Sequence, residues 1–321
     1  MDKKDLKIVY MGTPDFAVES LRRLVEGGYN VVGVVTMPDK PVGRHQTAPS
    51  PSPVKEYAMS RGLRLLQPVK LKDPAFVEEL RSLGADLQIV VAFRMLPEIV
   101  WNMPRLGTFN LHASLLPQYR GAAPINWAII NGERETGITT FFLKQEIDTG
   151  NIIDQVKVPI SETDNAGTVH DRLMRLGGDL VVKTVDAILA GTVQARPQSE
   201  LAPEAALHPA PKIFKDTCRI NWNMATSRCY DFIRGLSPHP GAWTELVNGG
   251  RRTVLKIYAS RKLERFPEEQ PGHLWTEDGH LLVALADGTL ELTEVQLSGK
   301  KRMPASDFLR GYRLENDAHC K

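Results

Sequence analysis

A chain of 321 residues, 42% hydrophobic and 24% charged, has the composition of a soluble globular protein and the length for two domains, each with a core of its own. Its net charge of +2 is too small to argue nucleic-acid binding from composition. Three cysteines, Cys218, Cys229 and Cys320, lack metal-like spacing and suggest a reducing cytosol.

Met1 to Lys7 is charged and leads straight into a strand, which argues against a signal peptide, and no apolar run approaches the ~20 residues of a bilayer span. Leu6 to Met11 reads as a buried strand. After it, Thr13 offers a capping hydroxyl, Pro14 suits a first helical position, and Asp15 favours the positive end of a helix running through Val25. Gly27-Gly28 closes that helix. Val31 to Thr36 is a second strand, so the chain opens on a βαβ unit with parallel strands. The first turn has one glycine where a dinucleotide site needs Gly-x-Gly-x-x-Gly, which argues against a nicotinamide or flavin cofactor.

Pro38 to Lys55 breaks the rhythm. Pro38, Pro41, Pro49, Pro51 and Pro53 interrupt regular structure, and Lys40, Arg44 and Lys55 are opposed only by Asp39. It reads as a long loop, either functional or a surface excursion. Tyr57 to Gly62 ends a short helix, Leu63 to Gln67 is strand-like, and Pro74 to Leu83 is a helix stopped by Gly84. Ala85 to Phe93 is an almost continuous apolar strand of the kind that parallel sheets bury on both faces.

Gly107 to His112 is again strand-like, and it ends in polar groups. Side chains alternate along a strand, so Asn110 and His112 share one face and Leu111 takes the other. An amide and an imidazole side by side can donate hydrogen bonds to an oxygen that turns negative during acyl transfer. They can equally well satisfy nearby backbone. The following Ser114-Leu115-Leu116-Pro117 and Tyr119-Arg120-Gly121 leave the strand as a turn, where binding and catalysis concentrate.

Pro124 to Asn131 is a short helix, and Thr136 to Leu143 is a β-branched strand leading to Asp148-Thr149-Gly150. Asp148 is either a turn former or the carboxylate that the Asn110/His112 pair still lacks. Thr163 to Gly191 reads as a long amphipathic helix with Val169, Leu173, Leu176 and Leu180 in one stripe. Gln194 to Pro211 is proline-rich, poor in bulky apolar residues, and reads as a linker. Short β-like runs follow at Gly241–Val247, Thr253–Ala259, His273–Trp275, Leu281–Ala286 and Leu290–Leu297, a spacing that suggests a small barrel.

Between Arg251 and Arg265 stand six basic residues (Arg251, Arg252, Lys256, Arg261, Lys262 and Arg265) against Glu264. Such a run either blunts a strand edge or forms an electrostatic footprint for a phosphate backbone. Taken with the barrel and the basic loop, we read it as the footprint of a phosphate backbone, Arg251 and Arg252 included.

Asn110-x-His112-x-Ser114-Leu115-Leu116-Pro117-x-Tyr119-Arg120-Gly121, followed by Ala123-Pro124-Ile125, Trp127, Thr136-Gly137-Ile138-Thr139 and Asp148-Thr149-Gly150, resembles the folate-dependent formyltransferases over nearly the whole length. The resemblance implies an α/β fold: a Rossmann-like parallel-sheet catalytic domain over 1–192, a linker at 193–211, and an OB-fold-like all-β barrel at 212–321 that binds tRNA. It implies transfer of the formyl group of 10-formyltetrahydrofolate, a co-substrate, to the α-amino group of methionine on initiator tRNA, without a metal.

Asn110, His112 and Asp148 would be catalytic. Ser114, Leu115, Leu116 and Pro117 match the folate-binding run. Phe93, Arg94 and Leu96 fall where the family lines its pterin pocket, with Phe93-Arg94 standing in place of the usual Tyr-Gly. In the family resembled, the loop after the second strand carries basic residues to the tRNA acceptor end; Arg44, in Lys40-Pro41-Val42-Gly43-Arg44, occupies the matching place, and Lys40 and Arg44 would contact tRNA there. Expected besides are a cytoplasmic location, no membrane, and a monomer without an obligate protein partner. Related enzymes acting on glycinamide ribonucleotide or amino sugars, folate hydrolases, and a non-catalytic tRNA-binding protein are the competing readings. The basic loop and the separate barrel argue for tRNA.

Overall fold

The computed structural model describes residues 2–41, 49–201 and 206–321, with backbone alone for residues 40, 41 and 49. The chain forms two compact units, one of Met1–Gly121, Gly137–Val158 and His170–Pro209, the other of Ala122–Thr136, Pro159–Val169 and Ala210–Lys321.

The first unit begins with β1 (Lys7–Gly12), α1 (Val18–Glu26) and β2 (Asn30–Val35), the predicted βαβ opening. Thr13 does not cap the helix as expected: a 3-10 turn at Asp15–Ala17, preceded by Pro14, comes first, and the cap of α1 is Ala17, neither position with a side-chain bond. The Thr13 hydroxyl instead accepts from the Met37 amide at 3.4 Å, tying the first turn to the exit of β2. The 38–55 segment contains the short pair β3 (Lys40–Pro41) and β4 (Pro49–Ser50). It gives way at Pro53 to α2 (Pro53–Ser60), whose cap is the Ser52 hydroxyl accepting from Lys55 N. Next come β5 (Leu65–Leu66), α3 (Pro74–Ser82), β6 (Leu87–Val91), α4 (Glu98–Trp101) and β7 (Thr108–His112).

Beyond β7 follow α5 (Pro124–Ile130), which falls in the second unit, then β8 (Glu135–Phe142), β9 (Ile152–Pro159) and the long α6 (Ala166–Ala190). Strand β9 was not predicted; its IIDQVKVP sequence is mostly half-buried and gives only a weak alternation. Among the described residues the sheet runs β5-β2-β1-β6-β7-β8-β9. Strands β5 to β7 pair in parallel, and β8 pairs antiparallel to β7. All five residues of β6 are buried, as a central parallel strand requires.

The chain moves outward from β1 to β2 and β5, then returns to β6 on the other side, so the order reverses beside β1. Open α/β sheets take their ligands at the carboxyl ends of strands flanking such a point, here near Gly12, Val91 and His112. Gly12 fits this junction because a Cβ there would lie 2.7 Å from Ala17 Cβ and 2.9 Å from the Val91 carbonyl oxygen. Helix α6 covers the sheet closely at Gly177, where a Cβ would stand 2.7 Å from Leu111 Cδ2. Leu111 thus spends its side chain on α6, and strand alternation turns Asn110 and His112 to the opposite face.

In the second unit the described strands are β10 (Ala242–Asn248), β11 (Arg251–Leu263), β12 (Leu274–Glu277), β13 (His280–Ala284), β14 (Thr289–Leu297), β15 (Met303–Pro304) and β16 (His319–Cys320), with α7 (Thr226–Gly235) before them and α8 (Ala305–Gly311) between the last two. The order is β12-β13-β14-β11-β10-β16, with β15 on β14, and the pairs are antiparallel. A bridge between His273 and His319 brings the two ends together, so the sheet is a nearly closed barrel, as predicted. Register shifts at Ile257–Ser260 bend the long β11, the role bulges play in curling a sheet. Its filling includes Trp222, Leu246, Leu255, Ile257, Leu281, Val283, Leu292 and Phe308. Helices α7 and α8 were not predicted; each has few apolar residues, and those of α7 (Cys229, Ile233) face the barrel filling.

Candidate active site

Strand β7 delivers its two polar side chains to the carboxyl end of the sheet. His112 is 7% exposed, and its Nε2 lies 2.9 Å from the Tyr119 carbonyl oxygen. A carbonyl only accepts, so Nε2 carries the hydrogen and the neutral ring keeps its lone pair on Nδ1. That Nδ1 faces Asp148 Oδ2 at 3.9 Å, too far for a direct hydrogen bond but within the span of one bridging water. The backbone contact therefore engages Nε2 alone and leaves Nδ1 directed at Asp148.

Asp148 stands in the left-handed region at φ 54°, which Asp tolerates better than most residues. Its Oδ2 accepts from the Gly121 amide at 3.0 Å. Two residues on, Gly150 leaves room for no side chain: a Cβ would meet the Phe142 carbonyl oxygen at 1.5 Å. The turn thus lies tight on the end of β8, and its carboxylate comes to the mouth of β7.

Asn110 is half-buried, yet its Oδ1 is shielded from solvent and has no hydrogen-bond partner among the described residues. A buried amide oxygen without a partner carries a desolvation penalty of ~1–3 kcal/mol. A site that takes a ligand hydrogen at that point removes the penalty. Asn110, His112 and Asp148 are therefore brought together by β7 and the β8–β9 turn.

The Ser114–Pro117 run forms the turn beyond β7. The Ser114 hydroxyl is buried and donates to the Gln118 carbonyl at 2.7 Å, and its own carbonyl accepts from Thr139 Oγ1 at 2.6 Å. Bound in this way, the hydroxyl is no candidate nucleophile. Leu116 is buried against Phe141 and Ile152, Pro117 follows it through a cis peptide bond, and Leu115 is half-buried. Thr139 Oγ1 also takes the Leu116 amide at 3.2 Å, while Gln155 Nε2 donates to the Leu116 carbonyl at 2.9 Å.

At the exit of β6, Arg94 donates to the Pro68 and Val69 carbonyls and lies 5.6 Å from the Phe93 ring centre. Burial pushes the guanidinium pKa below its usual value. Leu96 belongs to the apolar cluster with Val9, Met11 and Val90, and Phe93 packs against it.

Of the expected tRNA contacts, Arg44 lies outside the described residues, and Lys40 is described only as backbone paired with Ser50. Arg251 and Arg252 are exposed at the start of β11. Arg252 already sits 3.4 Å from Glu245, and within the same basic run Arg261 pairs with Glu291 and Arg265 with Glu277. The basic run is therefore partly neutralised within the barrel: the Arg252 and Arg265 pairs are exposed, a kind worth little in water, while Arg261 pairs with the buried Glu291.

Sequence reasoning missed the partners that set this geometry: the Tyr119 carbonyl, the Gly121 amide and Gln198. Backbone groups leave no trace in composition. Gln198, 4% exposed, lies in the stretch read as linker, where no periodicity marks it. No described helix is long and apolar enough to cross a membrane.

The chain matches the formyl transferase family model over residues 6–185 and the formyl transferase C-terminal domain model over residues 212–313. It is 69% identical to methionyl-tRNA formyltransferase of Phocaeicola vulgatus over 320 residues, 99% of each chain. Among solved structures, the N-formyltransferase of Helicobacter canadensis in complex with folinic acid and dTDP-3-aminofucose superposes with a TM-score of 0.63 at 21% identity, covering 89% of this chain and 98% of that one. HypX of Aquifex aeolicus in complex with tetrahydrofolic acid gives a TM-score of 0.63 at 17% identity. That match covers 94% of this chain, which spans only 46% of HypX.

Proposed function

The chain belongs to the formyl transferase family, and from that premise we propose that it transfers the formyl group of 10-formyltetrahydrofolate to the α-amino group of methionyl initiator tRNA. The observation that carries this reading is the His112 ring, one nitrogen bound to backbone and the other turned to Asp148 beside Asn110. Supporting it are the near-full-length relative named for this activity and two structural neighbours solved in complex with folates.

In this reading the amine nitrogen attacks the formyl carbon and the tetrahedral oxygen turns negative. Asn110 Nδ2–H donates to that oxygen, and once protonated, His112 Nδ1–H does so too. The proton released by the attacking amine passes through a water held by the Asp148 carboxylate to His112 Nδ1, and the carboxylate, still ionised, faces the imidazolium so formed. The C–N bond to folate then breaks, and the folate nitrogen leaves with a proton supplied by His112. A new amide is formed and tetrahydrofolate is released. Asn110 Oδ1, without a partner among the described residues, accepts a hydrogen from the amine or the pterin side.

Residues 114–117 together with Phe93, Arg94 and Leu96 form the folate side of the site, Leu96 acting from within the core behind Phe93. Lys40, Arg44, Arg251 and Arg252 form the tRNA side. The division of labour is a catalytic part at 1–192, a linker at 193–211 and a tRNA-binding part at 212–321, in a cytoplasmic monomer.

The decisive experiment offers labelled 10-formyltetrahydrofolate with methionyl initiator tRNA, methionyl elongator tRNA and glycinamide ribonucleotide in parallel. Label on the initiator tRNA alone is expected. Label on the ribonucleotide, or on none of the three, overturns the reading.

A further inference from the structure

We infer that Gln198 is a positioning residue that sets where the Asp148 carboxylate stands opposite His112; the inference rests on the catalytic reading of those two residues given above. Gln198 lies in the proline-rich segment after α6, yet its side chain is buried. A carboxamide offers two N–H donors and two acceptor lone pairs, and all four are used within the first unit. Nε2 donates to the Asp148 carbonyl at 2.7 Å and the Gly150 carbonyl at 2.9 Å. Oε1 accepts from Arg120 Nε at 3.0 Å and Nη2 at 2.6 Å. The segment that carries it is fixed two residues earlier, where Arg196 and Ile152 exchange two backbone hydrogen bonds of 2.8 Å.

The Asp148 turn is thus clamped twice. Gln198 holds its backbone from one side, and the Gly121 amide holds its carboxylate from the other. Arg120 and Gly121 are consecutive, so the two clamps share one support, the turn that follows the Asn110/His112 strand. Such over-determination is what keeps a non-glycine residue at φ 54°, a conformation of ~1–3 kcal/mol strain. Gln is suited to the place because Glu has no hydrogens for the two carbonyls and Asn is one methylene shorter. Loss of this amide lets the turn relax, and a displacement of ~1 Å at a reacting group is enough to lower a rate ~10²-fold.

The test compares the full-length wild type with Gln198→Ala and Gln198→Glu. Gln198→Glu retains acceptance from Arg120, as an ion pair, while setting carboxylate oxygens against two carbonyl oxygens. In both variants kcat for formyl transfer is expected to fall ~10–100-fold while KM for folate and for methionyl-tRNA stays within ~3-fold. The ring-nitrogen NMR shifts of His112 should move toward those of Asp148→Asn. Should Gln198→Ala lose its fold by melting, Gln198→Glu carries the comparison. Wild-type kcat and wild-type His112 ring shifts in Gln198→Glu would mean that the residue only tethers its segment, and the inference falls. If the wild type transfers no formyl group, the proposed reaction fails by itself, and the His112 ring shifts still decide the inference: moved in the variants it stands, unmoved it is overturned.

Discussion

His112 Nδ1 faces Asp148 Oδ2 across 3.9 Å while Nε2 of the same ring rests 2.9 Å from the Tyr119 carbonyl oxygen. The ring is therefore oriented by backbone, with its other nitrogen left between Asp148 and the open end of the strand. Replacing either side chain by Ala removes the acid–base pair, and kcat should fall ~10²–10⁴-fold while tRNA affinity persists. Single-turnover formyl transfer beside a filter-binding measurement checks this, and near-normal turnover in either variant removes that residue from the chemistry.

Asn110→Ala takes away one oxyanion donor, for which a loss of ~10²–10³ in kcat is expected. Because Oδ1 of this side chain is buried without a partner among the described residues, the apo protein should lose little stability and may be compared by melting. Asn110→Asp keeps the shape and loses the donor, so it should be as slow as Asn110→Ala. An Asp variant as fast as the wild type would assign the working atom to the oxygen.

Gly150→Ala tests the seat of the Asp148 turn without touching a polar group. The new Cβ would lie 1.5 Å from the Phe142 carbonyl oxygen, so the turn must shift, with a stability loss of ~1–3 kcal/mol. Activity should drop by at least an order of magnitude while chemical denaturation still shows a folded protein. A fully active Gly150→Ala would mean that the position of Asp148 is not critical.

Phe109 is fully buried in β7, one residue before Asn110. Phe109→Ala should lower unfolding free energy by ~3–5 kcal/mol through lost burial and the cavity left behind. Urea denaturation measures it, and a change under ~1 kcal/mol would contradict the packing described.

Asp39 receives Lys55 Nζ at 2.5 Å and Gln67 Nε2 at 2.9 Å, and the lysine hydrogen bond, with the glutamine behind it, holds its carboxyl below the usual carboxylate range. A depressed folded pKa contributes stability that is present above the unfolded value, ~3.9, and is lost as pH falls through the folded value. The Asp39 carboxyl resonance should therefore titrate below that of a free aspartate, and Lys55→Met should return it to the ordinary range. An unchanged midpoint in Lys55→Met would show that the lysine is not its cause.

Much of the order of elements was legible in the sequence because it rests on local chemistry: the apolar runs of β1 and β6, the Pro74 and Gly84 that bound α3, the alternation that sets Asn110 and His112 on one face of β7; Pro53, read as a loop residue, instead opens α2. The glycine-punctuated strands of the barrel follow from the same local rules. Elements with weak patterns or very short ones were not legible, among them α4, β9, α7, α8, β15 and β16. The site divides along the same line. Asn110, His112 and Asp148 stand out by residue type and by the motif around them. Which nitrogen of His112 is committed to backbone, how far Asp148 stands from the other, and that a glutamine 50 positions downstream holds the turn in place were decided by tertiary structure alone. Hydrogen bonds to carbonyls and amides far apart in the chain depend on where the backbone ends up, and residue identity does not encode that.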